Sequence, residues 1–198
     1  MRDKYGTGED PDCWPGTSVL KNKLQLHDEA ALAVAEADFA AAAVQNITIG
    51  PPPFDVAYLK RLHRQLFGDV YDWAGHFRKV DITKGDTRFC TASRIEPEAA
   101  KIIDLLTQAA PSTQGSRQFL THVAYCYGEL NMVHPFREGN GRTQRLFFEH
   151  WLLTLGYGTH WDRVQRDEWI AACIAAAGCD YAALTTIFER CISPIESP

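Results

Sequence analysis

The chain has no apolar run long enough to cross a bilayer. Its most apolar-looking stretch, Ala30 to Val44, is mostly alanine and is interrupted by Glu36 and Asp38. The opening residues Met1-Arg2-Asp3-Lys4-Tyr5-Gly6 contain no apolar h-region, so a secretory signal is not expected. Positive charge is also scarce. A formal net charge of -5 leaves no general field to draw in nucleic acid or an acidic membrane, and neither is expected as a direct partner. The six cysteines are even in number but scattered, with no C-x-x-C pair, which argues against a zinc knuckle. Reduced, mostly buried thiols in a cytoplasmic protein are the expectation. There is no P-loop pattern, no H-R-D or D-F-G set and no H-E-x-x-H, and no repeat or low-complexity tract beyond the alanines.

What is present is enough for one compact domain: 198 residues, 45% of them hydrophobic. Residues 1–50 read as an irregular Gly-, Pro- and Trp-rich extension followed by an alanine-rich helix from Asp28-Glu29 to about Gln45. The run Gly50-Pro51-Pro52-Pro53 is expected to end that helix. Residues 51–198 read as the main body. Leu59, Leu62, Leu66 and Phe67 mark a helix over about 55–67, with basic residues on its other face, Arg61 and Arg64 among them. Further helical patterns cover about 96–109, 116–132, 140–156, 166–177 and 180–192, with Ser116 as an N-cap and Pro111-Ser112-Thr113 as a break. Val80 to Ser93 departs from this rhythm. Val80 and Ile82 alternate with polar residues and Lys84-Gly85-Asp86 supplies a turn, so one β-hairpin is expected in an otherwise all-α fold.

The densest chemistry lies in His134-Pro135-Phe136-Arg137-Glu138-Gly139-Asn140-Gly141-Arg142-Thr143-Gln144-Arg145, between two apolar helical patterns. A glycine-bearing loop that opens a helix presents unpaired N–H groups to an anion. A Cβ at Gly139 or Gly141 would keep the backbone from close approach to that ligand. Asn140 can donate an amide hydrogen bond to a phosphate oxygen. Arg142 and Arg145, three residues apart, can clamp further phosphates. Glu138 beside several phosphates is most simply a ligand for Mg²⁺. His134, titrating near neutrality, can take a proton from an incoming hydroxyl, with Phe136 turned into the core. His63, His76, His122, His150 and His160 read as surface or satisfied core residues, and the aromatic residues of 147–161 as core.

This stretch resembles the signature of Fic-domain proteins, H-P-F-x-(D/E)-G-N-G-R-x-x-R, at every fixed position. Tyr5-Gly6, Pro15-Gly16-Thr17, Leu20-Lys21-Asn22 and Tyr71-Asp72-Trp73-Ala74-Gly75 are similar to the family as well. The resemblance is closest to bacterial stand-alone Fic proteins of the cell-filamentation type. It implies a helical Fic fold with a β-hairpin flap, and transfer of AMP from ATP to a target-protein hydroxyl. In that reading His134 is the base, Gly139, Asn140 and Gly141 hold the α-phosphate, Arg142 and Arg145 the β- and γ-phosphates, and Glu138 the Mg²⁺. Ile82, Thr83, Lys84, Gly85, Asp86, Thr87, Arg88 and Phe89 would form the flap that registers the target by strand-like pairing.

A kinase-type branch of the superfamily carries lysine in place of the second loop glycine; Gly141 favours adenylylation here. Relatives that transfer UMP or phosphocholine share much of the motif, so transfer of another phosphate-containing group stays open. A nucleotide-binding interaction module without transfer is the other alternative. Outside the motif no Glu is followed by Gly or Asn. The inhibitory pattern (S/T)-x-x-x-E-(G/N) of many Fic proteins is therefore missing from the chain. By resemblance, a separate small antitoxin would supply the glutamate to Arg145. Similar toxins modify ATPase subunits of type II topoisomerases, which makes the B subunit of DNA gyrase and the ATPase subunit of topoisomerase IV the expected targets.

Overall fold

The computed structural model describes residues 10–108 and 115–195. The Tyr5-Gly6 start and the break at Pro111-Ser112-Thr113 lie outside the described residues. Helix starts follow side-chain caps. The Asp28 carboxylate accepts from Ala31 N–H and opens α1 (Glu29–Val44), and Asp55 does the same for Tyr58 N–H in α2 (Val56–Phe67). The hairpin follows as β1 (Thr83–Lys84) and β2 (Thr87–Arg88). A short 3₁₀ turn then leads into α3 (Ile95–Thr107), where Pro97 falls in the first turn and costs no helical donor. The Ser116 hydroxyl caps α4 (Arg117–Val133), and α5 (Asn140–Thr154) follows the motif loop. The chain closes with β3 (Tyr157–Thr159), α6 (Arg166–Ala177), α7 (Ala182–Cys191) and β4 (Ile192–Pro194).

α1 ends at Val44 with Gln45 as its cap, close to where it was expected, but a turn ends it and not the proline run: Asn46 N–H and Ile47 N–H bond back to Ala43 and Val44 carbonyls. The strand content needs correction. β1–β2 is joined by a second strand pair. β3 pairs antiparallel with β4 in the register Tyr157↔Pro194, Gly158↔Ser193, Thr159↔Ile192. That pairing joins segments separated by two helices, so no local turn signal marks it in the sequence.

α4 is the central helix, packed against α3, α5, α6 and α7, while α2 lies on α5 and α1 on α2. Tyr127, Leu130, Phe147, Phe148, Trp151 and Phe188 are buried at these contacts. Residues from the extension, Cys13, Val19 and Leu20, join the same continuous core as the helices. Of the six cysteines, Cys13, Cys126 and Cys191 are buried and Cys179 is exposed. No helix among the described residues is long and apolar enough to cross a membrane. The helix order brings the C-terminus of α4, the N-terminus of α5, the end of α2 and the middle of α1 to one place.

Candidate active site

α4 ends because His134 takes a left-handed backbone (φ 45°, ψ 62°) and Pro135 cannot continue a helix. Its N–H still closes onto Leu130 C=O at 3.2 Å. The imidazole Nδ1 lies 3.1 Å from Asn131 C=O. A carbonyl only accepts, so Nδ1 carries the proton and Nε2 keeps its lone pair. The ring stacks on Phe89 of the hairpin at 3.9 Å and 18°. Burial pushes its pKa down to about 4, outweighing the Asn131 carbonyl and the Glu138 carboxylate, which raise it. The expectation of titration near neutrality is thereby corrected: His134 is held neutral at pH 7 with an unprotonated Nε2.

The two glycines serve different ends. Gly139 has φ 77°, and a Cβ built there would lie 2.3 Å from the Phe67 ring. That internal contact by itself requires glycine at this position. Around Gly141 nothing lies within 4 Å of a Cβ, so that side is open. Asn140 also departs from expectation. Its side chain is buried; its Oδ1 accepts from Phe136 N–H at 2.7 Å and its Nδ2 donates to Phe136 C=O at 2.8 Å. The amide braces the loop, and Asn140 offers an anion its backbone N–H. The N–H groups of Asn140, Gly141 and Arg142 occupy the first turn of α5, ahead of any helical acceptor, and the helix dipole adds to their pull on negative charge. Phe136 is turned into the core, as expected, but it stacks on His63 at 3.8 Å while His134 rests on Phe89.

Arg142 and Arg145 part company. The Arg142 guanidinium bonds the Glu36 carboxylate of α1 at 2.9 Å, lies 3.8 Å from Glu138 and covers the Phe67 ring at 4.6 Å. Glu36 in turn accepts from the Tyr71 hydroxyl. Burial, and then Glu138, push the Glu36 pKa up. Arg145 has no ion-pair partner among the described residues and sits toward Tyr127 and Cys173, where burial raises both pKa values and its charge opposes the rise. Glu138 Oε1 accepts from Gly139 N–H at 2.9 Å. No group of three or more His, Cys, Asp or Glu residues able to hold a metal occurs among the described residues. A single hard carboxylate beside an anion nest suits Mg²⁺ that arrives with polyphosphate oxygens and water, and does not suit an all-protein cage.

The hairpin stands over His134. Thr83 pairs with Arg88 and Lys84 with Thr87, joined by Gly85 (φ 58°) and Asp86, with glycine at the first central position of a II′-type turn. Thr83, Lys84, Gly85, Asp86 and Arg88 are exposed and Thr87 half-buried, which leaves this rim open to another chain. Ile82 and Phe89 are buried and pack with Val80 under the hairpin, so they anchor it and do not line the rim.

Several residues that shape the site escaped the sequence reading. The buried Arg78 sends Nε to His134 C=O at 2.9 Å, Nη1 to Val80 C=O at 2.7 Å and Nη2 to Val133 and Cys90 carbonyls. One cation thus ties both ends of the hairpin to the negative C-terminus of α4. His63 accepts from Gly75 N–H at Nδ1 and so donates from Nε2 to Glu138 C=O at 3.0 Å. It is a satisfied core histidine, as expected, yet it holds the loop; burial lowers its pKa to about 4. Arg137, also buried, pairs with Asp10 and lies 3.8 Å from Asp12 of the extension. Glu36 did leave a trace: with Leu32 and Ala40 it forms a four-residue spacing on the buried face of α1.

Residues 53–152 match the Fic/DOC family. The chain belongs to that family. The "Probable protein adenylyltransferase Fic" of Salmonella typhimurium is 39% identical over 98% of this chain and 97% of its own length. Among solved structures, BepC of Bartonella tribocorum with bound AMPPNP superposes with a TM-score of 0.83 at 27% identity, covering 94% of this chain and 98% of that one. A Fic domain from Bartonella quintana with bound ADP gives 0.83 at 28% identity, covering 94% and 96%. The fold is the Fic fold, and the enzyme class is that of the protein adenylyltransferases. Asp10, Asp12 and Glu36 of this Fic chain lie outside the matched segment but hold its arginines.

Proposed function

We propose that this Fic protein transfers AMP from Mg-ATP to a side-chain hydroxyl of a target protein docked along the hairpin. The observation that carries it is the fixed tautomer of His134: Nδ1 is tied to Asn131 C=O, so the lone pair of Nε2 is the available one, next to the first turn of α5. His134 Nε2 takes the hydroxyl proton, the hydroxyl oxygen bonds the α-phosphorus, and the bond to the β-phosphate oxygen breaks to release pyrophosphate. The N–H groups of Asn140 and Gly141 hold the α-phosphate, and Gly139, whose own N–H donates to Glu138 Oε1, shapes the turn that presents them. Arg142 and Arg145 take the outer phosphates, and Glu138 would hold Mg²⁺, which offsets their charge. Thr83, Lys84, Gly85, Asp86, Thr87 and Arg88 register the target backbone.

The same reading makes the protein a cytoplasmic toxin that acts on the B subunit of DNA gyrase and the ATPase subunit of topoisomerase IV. A small antitoxin restrains it by presenting a glutamate to Arg145, whose lack of an ion-pair partner among the described residues supports that role. α-labelled ATP incubated with the protein and either subunit tests this. Label on the subunit, lost in His134→Ala, is the expected result. Nucleotide binding with no label on any protein would favour an interaction module, and label from γ-labelled ATP alone would mean phosphotransfer.

A further inference from the structure

The hairpin also borders a groove outside the anion site. It has a volume of about 460 Å³ and lies between β2, α3 and α4. Phe89 and Cys90 line it from the hairpin side, Ile102 from α3, and Tyr125, Met132 and Val133 from α4. Among the described residues, none of its lining comes from the motif loop or from α5. Yet the groove starts beside the base. Val133 immediately precedes His134, and the Phe89 ring stacks on the imidazole at 3.9 Å. Cys90 N–H donates to Met132 C=O at 3.0 Å and fixes the hairpin to α4 there. β2 pairs only with β1 among the described residues, so it keeps one edge without a strand neighbour. The apolar lining includes Tyr125, 37% exposed on the central helix. The rim carries both signs, Arg88 and Lys101 with Glu98 and Glu129. Glu98 already pairs with Arg94 at 2.6 Å, and Glu129 accepts from the Tyr181 hydroxyl at 2.5 Å. An apolar floor within a polar rim of mixed charge suits a protein segment and not a lipid surface.

We infer that this groove receives an apolar side chain of the target protein, two residues from the modified hydroxyl, and so selects which hydroxyl is modified. The inference rests on the reading that the hairpin docks the target. A chain laid along a strand alternates its side chains, with neighbours on one face about 7 Å apart. With the acceptor hydroxyl at His134 Nε2, the next side chain on that face meets the floor that Phe89 and Val133 continue from His134. Main-chain pairing on the hairpin is indifferent to sequence, and a pocket for alternate side chains supplies the discrimination that pairing lacks.

α-labelled ATP and a bacterial lysate supplemented with the B subunit of DNA gyrase provide the test, read on the most strongly labelled protein. Tyr125→Ala removes an exposed wall of the groove, and Lys101→Trp adds bulk at its exposed rim. Each should raise KM for that protein about tenfold, the cost of losing one well-packed interface side chain. Binding of a non-hydrolysable ATP analogue and the urea midpoint should stay near wild type, which a merely structural role would not allow. On the target, the modified residue located by mass spectrometry should have an apolar residue two positions away. Changing that residue to Asp should slow the wild-type enzyme about tenfold and Tyr125→Ala much less, because the contact is already gone there. Wild-type KM in both folded variants, a parallel loss of nucleotide binding, or equal losses from the target substitution in both enzymes overturns the inference alone. No label on any protein with the wild-type enzyme overturns the AMP-transfer reading and this inference together.

Discussion

At the scale of single residues the two loop glycines separate folding from binding. Gly139→Ala must carry a side chain at φ 77° and push it into the Phe67 ring, so it should lose at least about 2 kcal/mol of stability. Gly141→Ala meets nothing in the protein and should unfold at the wild-type denaturant midpoint, yet bind ATP more weakly because the methyl stands at the anion nest. Parallel urea titrations and nucleotide-binding isotherms distinguish the two; equal effects of both substitutions on both measurements would contradict the assignment. His134 gives a second expectation. With its pKa lowered to about 4, kcat/KM measured at saturating Mg-nucleotide should stay flat from pH 8 to about pH 5 and halve near pH 4, not near 6.5. The His134→Ala variant should lose about 10²–10⁴-fold in rate. An acid limb centred at 6.5 would show that His134 is more hydrated than its stack on Phe89 implies.

At the scale of elements, Arg78 is the cation that ties the hairpin to the catalytic loop, beside the Phe89–His134 stack and the Cys90 N–H bond to Met132 C=O. Its guanidinium reaches the carbonyls of Val80 and Cys90 at the hairpin ends and of Val133 and His134 at the end of α4. Arg78→Met keeps much of the side-chain bulk and removes the charge, leaving those buried carbonyls to find water. Hydrogen exchange over residues 83–89 should speed up, and KM for the target protein should rise more than KM for ATP. Unchanged exchange in the hairpin would show that Ile82 and Phe89 alone hold it. Most elements were legible beforehand. The caps Asp28, Asp55 and Ser116, the glycine turn at Gly85 and the apolar spacing of α2, α4 and α5 are local signals, and local hydrogen bonds obey them. The β3–β4 pair was not legible, because its partners are brought together by α6 and α7 and not by a turn. The end of α1 was legible to within a residue, but its cause was not, being a turn with no proline or glycine in it.

At the scale of the whole molecule, burial of histidines sets the response to acid. His63 and His134 have folded-state pKa values lowered to about 4, below the unfolded value of 6.5. Between those limits the unfolded chain binds more protons than the folded one, so stability is full above pH 6.5 and falls as pH drops through the window. Two such groups give a slope approaching about 2.7 kcal/mol per pH unit near pH 5. Glu36 and Asp12, with raised pKa values, act in the opposite sense and moderate the loss. Urea midpoints measured from pH 7.5 to 4.5 should fall across this range; a flat profile would rule out neutral burial of the pair.

The amino-acid sequence by itself determined the helical order, the loop from His134 to Arg145 and its family, since those depend on residue types at short spacing. It also located the hairpin upstream of the loop. Tertiary structure alone decided how the charges in that loop are divided. Asn140 turns inward to brace Phe136, Arg142 is drawn to Glu36 and Arg137 to Asp10, while Arg145 stays without an ion-pair partner among the described residues. The physical reason is distance along the chain. A guanidinium in a crowded site pairs with whichever carboxylate folding brings within hydrogen-bond reach, and here those carboxylates come from the first 36 residues, across a core that no local pattern records.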